Sequence, residues 1–228
     1  MALLGTSAGV PELEGTTAGG LEWSSRVQAV VDFFGPTDIL QMNPDVVFPP
    51  GGSVDHDAFN SAESKLIGFN QAGQGIGVLR ANLTNPIPPY PAKAALARLL
   101  SPMNHLTADD APVFMGHGDQ DTVVALKQSR RLRDAYVSAG LSVSLTEVAG
   151  AGHGFLGALI ETSARDFVVS ELSRCRGDLD RNGVSDFGDF LAFFNWYDTG
   201  DLRADLTLDD TTDFGDFLAF FDAFDSGC

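Results

Sequence analysis

PVFMGHGDQD, residues 112–121, and LSVSLTEVAGAGHGF, residues 141–155, decide the fold. Each is a short apolar run that ends in a polar, glycine-rich turn. Pro112 to Gly116 predicts a short buried strand, and Leu141 to Val148 predicts another. Between them, Leu126 to Ala139 has helical periodicity with Arg and Lys on its outer face, and Gly140 is a natural helix stop. Outward on the N-terminal side, RVQAVVDFF (Arg26 to Phe34) is apolar and β-branched until Gly35-Pro36 ends it, which predicts a further strand. On the C-terminal side, Phe155 to Cys175 predicts a closing helix. Strands alternating with helices in this rhythm predict an α/β domain, a parallel sheet with helices on its faces.

In such sheets, functional groups sit just beyond the C-terminal ends of the strands. Two of the predicted strand ends carry suitable chemistry. HGDQD offers Asp119 and Asp121, and AGAGHGF offers His153. Glycines on both sides of His153 let the backbone present the ring from a tight loop rather than pack it in a core. An acid at one strand end and a histidine at the next fit the acid and base of a Ser-His-Asp triad in the chain order Ser, Asp, His. His117 is expected to support the acid loop rather than react, and His56 and His105 carry no motif.

The 228 residues carry 31 acidic and 14 basic side chains, a formal charge of −17. That balance argues against nucleic acid or an anionic membrane as the main partner. No run of apolar residues is long enough for a membrane span. From Gly177 to Cys228 there are thirteen Asp, two Arg and no Glu, so −11 of the charge lies there. Short carboxylates in such density suit a hard cation. Cys175 and Cys228 bracket this segment. A bridge between them would staple a small unit with little core and imply an oxidising compartment, whereas two unrelated thiols would imply neither.

The segment is duplicated. DFGDFLAFF occupies Asp186 to Phe194 and recurs letter for letter from Asp213 to Phe221. Each copy is preceded by a calcium-loop pattern. In DLDRNGVSDFGD the expected ligands are Asp178, Asp180 and Asn182, the backbone carbonyl of Val184, then Asp186 and Asp189, with Gly183 at the sharp turn. In DLTLDDTTDFGD the equivalents are Asp205, Thr207, Asp209, Thr211, Asp213 and Asp216. Thr207 is a poorer ligand than a carboxylate, and Asp210 replaces the turn glycine, so weaker binding is expected there. The Phe and Leu residues of the two FLAFF helices are expected to pack on each other.

Asp at the last position of both loops, with the duplication and the short helices, resembles the dockerin family over about the last fifty residues. That resemblance implies Ca2+ as the cofactor and a cohesin-like protein or cell-surface component as the partner. HGDQDTVV followed by QS, then GAGHGF, with VVDFFGPTDILQM and SAESKLIG upstream, resembles α/β-hydrolases of the feruloyl/acetylxylan-esterase-like and prolyl-oligopeptidase-like families. The resemblance implies a partial α/β-hydrolase domain over residues 1–173, followed by a small all-α calcium module over residues 174–228. It makes Asp121 the triad acid, His153 the general base and Asp119 a loop-shaping residue. The expected activity is serine hydrolysis of carboxylic esters, on acyl groups of polysaccharides, by an extracellular or cell-surface protein. A prolyl-oligopeptidase-like peptidase and a non-catalytic calcium-dependent interaction protein are the alternatives.

The serine is the open position. Gly5-Thr6-Ser7-Ala8-Gly9 fits G-x-S-x-G, but a nucleophile elbow needs a strand before its serine and a helix after it. Too few apolar residues precede Ser7, and Pro11, Gly15, Gly19 and Gly20 follow. The nucleophile strand and any signal peptide are therefore expected upstream of Met1, with this chain inactive alone and one sheet edge left unpaired. Residues 51–102 are expected to form a cap. In it Phe69, Leu79 and Tyr90 belong to the packing or line a pocket, and Asn82-Leu83-Thr84 fits a glycosylation sequon.

Overall fold

A computed structural model describes residues 2–14, 25–46, 54–154, 156–172, 176–180 and 184–226. In chain order it contains helices α1 (Ala2–Thr6) and α2 (Pro11–Glu14), strand β1 (Val30–Phe33), and helices α3 (Met42–Asp45), α4 (Ala62–Leu66), α5 (Ile76–Ala81) and α6 (Tyr90–Leu99). Strand β2 (Val113–Gly118), helix α7 (Leu126–Ser138), strand β3 (Val143–Val148) and helices α8 (Ala158–Leu172), α9 (Phe187–Thr199) and α10 (Phe214–Ser226) follow.

The sheet has the order β1-β2-β3, with both pairings parallel. Every residue of β2 is buried, as befits a central strand, whereas β1 alternates and β3 is half-buried with Ser144 and Glu147 exposed. Val30, Val113 and Met115 pack with Leu132 and Tyr136 of α7 and Ala2 of α1 in one core. Helix α7 stops where Gly140 takes φ 74°. There the Gly140 and Leu141 amides donate to the Val137 and Tyr136 carbonyls, a double bond pattern that closes the helix and turns the chain into β3. β1 starts later than its apolar run predicts, because Arg26 turns aside to pair with Asp109. The closing helix runs from Ala158 to Leu172; its expected ends, Phe155 and Cys175, lie outside the described residues.

Residues 54–104 form a helical layer with a core of its own, built on Ile39, Leu40, Ile67, Phe69, Ile76, Leu79, Ala94 and Ala97. Leu79 is fully buried and the Phe69 ring meets Tyr90 edge-on at 6.0 Å, so these residues serve packing. Asn82 ends α5 with its side-chain amide on the Val78 carbonyl at 2.9 Å. In the duplicated unit, Phe193 and Phe220 hold equivalent places in the two copies and stack face to face, 4.3 Å apart with 3° between planes. Phe190, Phe194, Phe217 and Phe224 surround them. The expectation that all the Phe and Leu residues of these helices pack inward does not hold. Phe187 and Phe214 stand exposed in the first turn of each helix, where they stack on Phe190 and Phe217, and Leu191 and Leu218 are exposed because two residues of helix, about 200°, separate them from Phe193 and Phe220. Among the described residues no helix is long and apolar enough to cross a membrane.

Candidate active site

The ends of β2 and β3 lie side by side, and their loops are laced together. The Asp119 amide donates to the Val148 carbonyl at 3.1 Å and the Gln120 amide to the Ala151 carbonyl at 2.9 Å. Asp119 Oδ1 accepts the Gly150 amide at 2.7 Å, so this carboxylate joins the acid loop to the histidine loop. The approach is close enough that a Cβ at Gly118 would collide with the Ala151 carbonyl. Lacing of this kind fixes the spacing of whatever the two loops carry.

It brings Asp121 and His153 together. His153 Nδ1 lies 2.9 Å from Asp121 Oδ2, with the Asp121 side chain fully buried and that of His153 32% exposed. Asp121 Oδ1 accepts the backbone amides of Val123 and Val124 at 2.8 and 2.9 Å. His117 Nε2 is 3.2 Å from Asp121 Oδ2. The two amides and the facing His153 nitrogen are donors to it, which suits the acceptor-only ionised carboxylate. A carboxylate facing Nδ1 places the ring proton there and leaves the Nε2 lone pair free to take a proton. The fully buried His117 bonds Ser129 Oγ through Nδ1 at 2.7 Å and the Val124 carbonyl through Nε2 at 2.9 Å, so it braces the acid loop from within.

Ser7 stands at the C-terminal end of α1, largely buried, with its carbonyl accepting the Val10 amide. A helix precedes it and a turn follows, the reverse of a nucleophile elbow. Among the described residues no hydrogen bond joins a serine hydroxyl to His153.

In the first acidic loop, carboxylate oxygens of Asp178, Asp180 and Asp189 all lie within 4.8 Å of one another, a donor set of the size and hardness that calcium takes. Asp189 is buried and organises the loop: Oδ1 accepts the Leu179 and Asp180 amides at 2.6 and 2.9 Å, and Oδ2 accepts the Asp186 amide at 2.8 Å. Asp186 caps α9 by accepting the Gly188 amide. Val184, expected to contribute only its carbonyl, has an exposed side chain. Asn182 and Gly183 lie outside the described residues, as do Cys175 and Cys228.

The second loop repeats this scaffold with poorer donors. Asp216 takes the place of Asp189, accepting the Thr207 and Asp213 amides at 2.9 and 2.8 Å. The Thr207 hydroxyl lies 3.0 Å from Asp216 Oδ1 and donates to it. Asp209 is bonded by Thr211, and Asp213 caps α10 through the Gly215 amide. Asp205 accepts the Asp209 and Asp210 amides; burial pushes its carboxyl above the usual range against these bonds, and the Asp216 charge adds to the rise. Asp210 takes φ 63° at the turn where glycine is usual. Among the described residues, only the first loop gathers three acids closely enough to hold an ion.

The BD-FAE family profile matches residues 1–136. The chain belongs to the BD-FAE family. Two solved structures are similar to this BD-FAE chain. One, a truncated form of a carbohydrate esterase from gut microbiota, is 26% identical with a TM-score of 0.55, covering 76% of this chain and 55% of its own. The other, a bifunctional GH43-CE protein of Bacteroides eggerthii, is 27% identical with a TM-score of 0.56, covering 75% of this chain and 20% of its own. The BD-FAE chain thus spans about half the length of the first. No curated protein matches it.

Two neighbours of the acid–base pair escape sequence reasoning. Phe34, straight after β1, takes φ 46°, rare for an aromatic residue, and its ring centre lies 4.5 Å from that of His153. His56, without any motif, bonds the carbonyl of Val123 in the acid loop across 67 positions of sequence. The following Gly35-Pro36 is a turn signal that could have drawn attention to Phe34. Nothing in the sequence marks His56.

Proposed function

We propose that the chain supplies the acid and base of a Ser-His-Asp esterase that removes acyl groups from polysaccharides, and that a calcium-dependent docking module follows them. The observation that carries the reading is the Asp121–His153 pair, set at adjacent strand ends with Nε2 of His153 left to face a reacting hydroxyl. In this reading a serine hydroxyl gives its proton to His153 Nε2 as it attacks the ester carbonyl, and Asp121 stabilises the imidazolium that forms. His153 then protonates the departing alcohol. In the second half of the cycle it draws a proton from water, which releases the acid. The serine comes from a strand that pairs with the outer edge of β1, since β1 has a partner on one side among the described residues and Ser7 has the wrong local geometry.

The polysaccharide substrate is supported by the two carbohydrate-esterase neighbours. In the module, Asp178, Asp180 and Asp189 hold one Ca2+ with Asn182, Asp186 and the Val184 carbonyl completing its sphere. The second loop, through Asp205, Thr207, Asp209, Thr211, Asp213 and Asp216, binds more weakly. The ion neutralises the facing carboxylates and fixes the helices. The exposed Phe187 and Leu191, with Phe214 and Leu218 at the equivalent places, offer apolar surface to a cohesin-like or cell-surface partner outside the cell.

The test uses the protein that carries this chain together with its serine-bearing segment. Acetylated or feruloylated xylan should be turned over and prolyl peptides left intact, and His153→Ala should lower kcat by roughly four orders of magnitude. Faster cleavage of prolyl peptides than of esters would overturn the esterase reading.

A further inference from the structure

His56 and Glu63 form a buried pair that the catalytic reading does not use. His56 is 3% and Glu63 8% exposed. Glu63 sits in the first turn of α4, which Ser61 caps by accepting the Ser64 amide at 3.0 Å. His56 precedes that helix, with its own amide held by Asn43 Oδ1 at 2.9 Å. Its Nδ1 meets Glu63 Oε1 at 2.8 Å, and its Nε2 meets the Val123 carbonyl at 2.7 Å.

Both partners are acceptors. A neutral imidazole carries one N–H and would turn a lone pair toward one of them, so two such short contacts call for the doubly protonated ring. Burial works against charge on His56. The bond to Glu63, its charge, the Val123 carbonyl and the nearby Asp55 together outweigh that and hold the ring above its ordinary range. A buried ion pair is weak as a stabilising device, because desolvation consumes most of its attraction, but it fixes geometry well.

What it fixes is the acid loop. The Val123 carbonyl that meets His56 and the Val124 N–H that donates to Asp121 belong to one peptide group, while the Val123 N–H also donates to Asp121 and the Val124 carbonyl meets His117. Asp121 is therefore held by the Val123–Val124 peptide group, which His56 anchors from behind, and His117 braces the next carbonyl along the chain. His117 reaches in from β2, His56 from the helical layer.

We propose that His56, kept as an imidazolium by Glu63, is a positioning residue that locks the Val123–Val124 peptide and through it the Asp121 carboxylate that orients His153. The proposal rests on the acid–base reading of Asp121 and His153.

The test is long-range 1H–15N NMR of the four histidines in the full chain, 15N-labelled at imidazole, with calcium present. In the native protein at neutral pH both His56 nitrogens should show protonated shifts, and His153 should show an Nδ1–H resonance protected from exchange. Glu63→Gln should convert His56 to a neutral ring. His56→Ala should broaden the His153 Nδ1–H resonance, while His56→Gln, which keeps a donor for the Val123 carbonyl, should retain it. A neutral His56 in the native protein would overturn the proposal, and that reading needs no variant to fold. An unchanged His153 signal in His56→Ala would overturn it as well. Asp121→Asn separates the two readings: survival of the His153 signal there would show that the Asp121–His153 pairing itself is wrong, whatever the state of His56.

Discussion

The molecule holds its site carboxylates in two ways. At the end of β2, Asp121 is surrounded by groups of the protein itself: two donor amides and two imidazoles. In the first acidic loop, carboxylate oxygens of Asp178, Asp180 and Asp189 lie close to one another, and the buried Asp189 accepts backbone amides through both of its oxygens. The first arrangement is complete without help. The second concentrates like charge and calls for a cation to balance it. In the proposed reading the same side chain, in the same chain, serves as a fixed orienter in one place and as a ligand in another. The identity of the neighbouring donors decides which.

The largest expected effect breaks the comparison at its cation-dependent side. Removing calcium with a chelator should destabilise residues 176–226 by about 4 kcal/mol, for an ion formerly present at about a thousand times its dissociation constant. Calorimetry should show one transition moving down and the hydrolase transition staying in place; a shift of both together would contradict the contrast. On the self-sufficient side, Gly118→Ala pushes a methyl into the Ala151 carbonyl and should cost about 1–3 kcal/mol in urea unfolding. It should also part His153 from Asp121, seen as loss of the His153 Nδ1–H signal.

A smaller effect comes from His56 and Glu63. His56 is raised above its usual value, so its contribution is full below the unfolded value of about 6.5 and fades as pH rises through the folded one. For Glu63, burial opposes charge, but the bond from His56 and its charge bring the carboxyl below its usual value. Its contribution is full above about 4.3 and fades as pH falls through the lowered value. Stability curves of the native protein and Glu63→Gln should therefore differ most between these limits and converge outside them. The smallest effect sharpens the difference between the two loops. Asp210→Gly relieves a positive φ and should stabilise the second loop by about 1 kcal/mol, with tighter calcium binding by isothermal titration.

Much of this was legible in the sequence because it rests on local pattern. The apolar runs at Val30, Val113 and Val143, the periodicity of α7 and the glycine after it are short-range features, and the structure follows them closely. The glycines around His153 and the acid at the preceding strand end mark that pair as chemical before any coordinates. Features that depend on distant partners were not legible. His56 and Val123 meet because the helical layer folds back on the acid loop, a contact that no local propensity encodes. Phe34 adopts a backbone conformation that its residue type disfavours, so tertiary packing against His153 and His117 overrides propensity there. Arg26 reads as strand by its neighbours and leaves the strand for Asp109. The outward face of α9 and α10 follows from helix geometry, once the Phe193–Phe220 stack fixes which side is inside.

The most direct test of the acid–base assignment is labelling by a fluorophosphonate, followed by peptide mass spectrometry, in the protein that carries this chain with its serine-bearing segment. One serine other than Ser7 should be labelled stoichiometrically, with labelling lost in His153→Ala and sharply reduced in Asp121→Asn. Labelling of Ser7, or labelling that persists undiminished in His153→Ala, would contradict it.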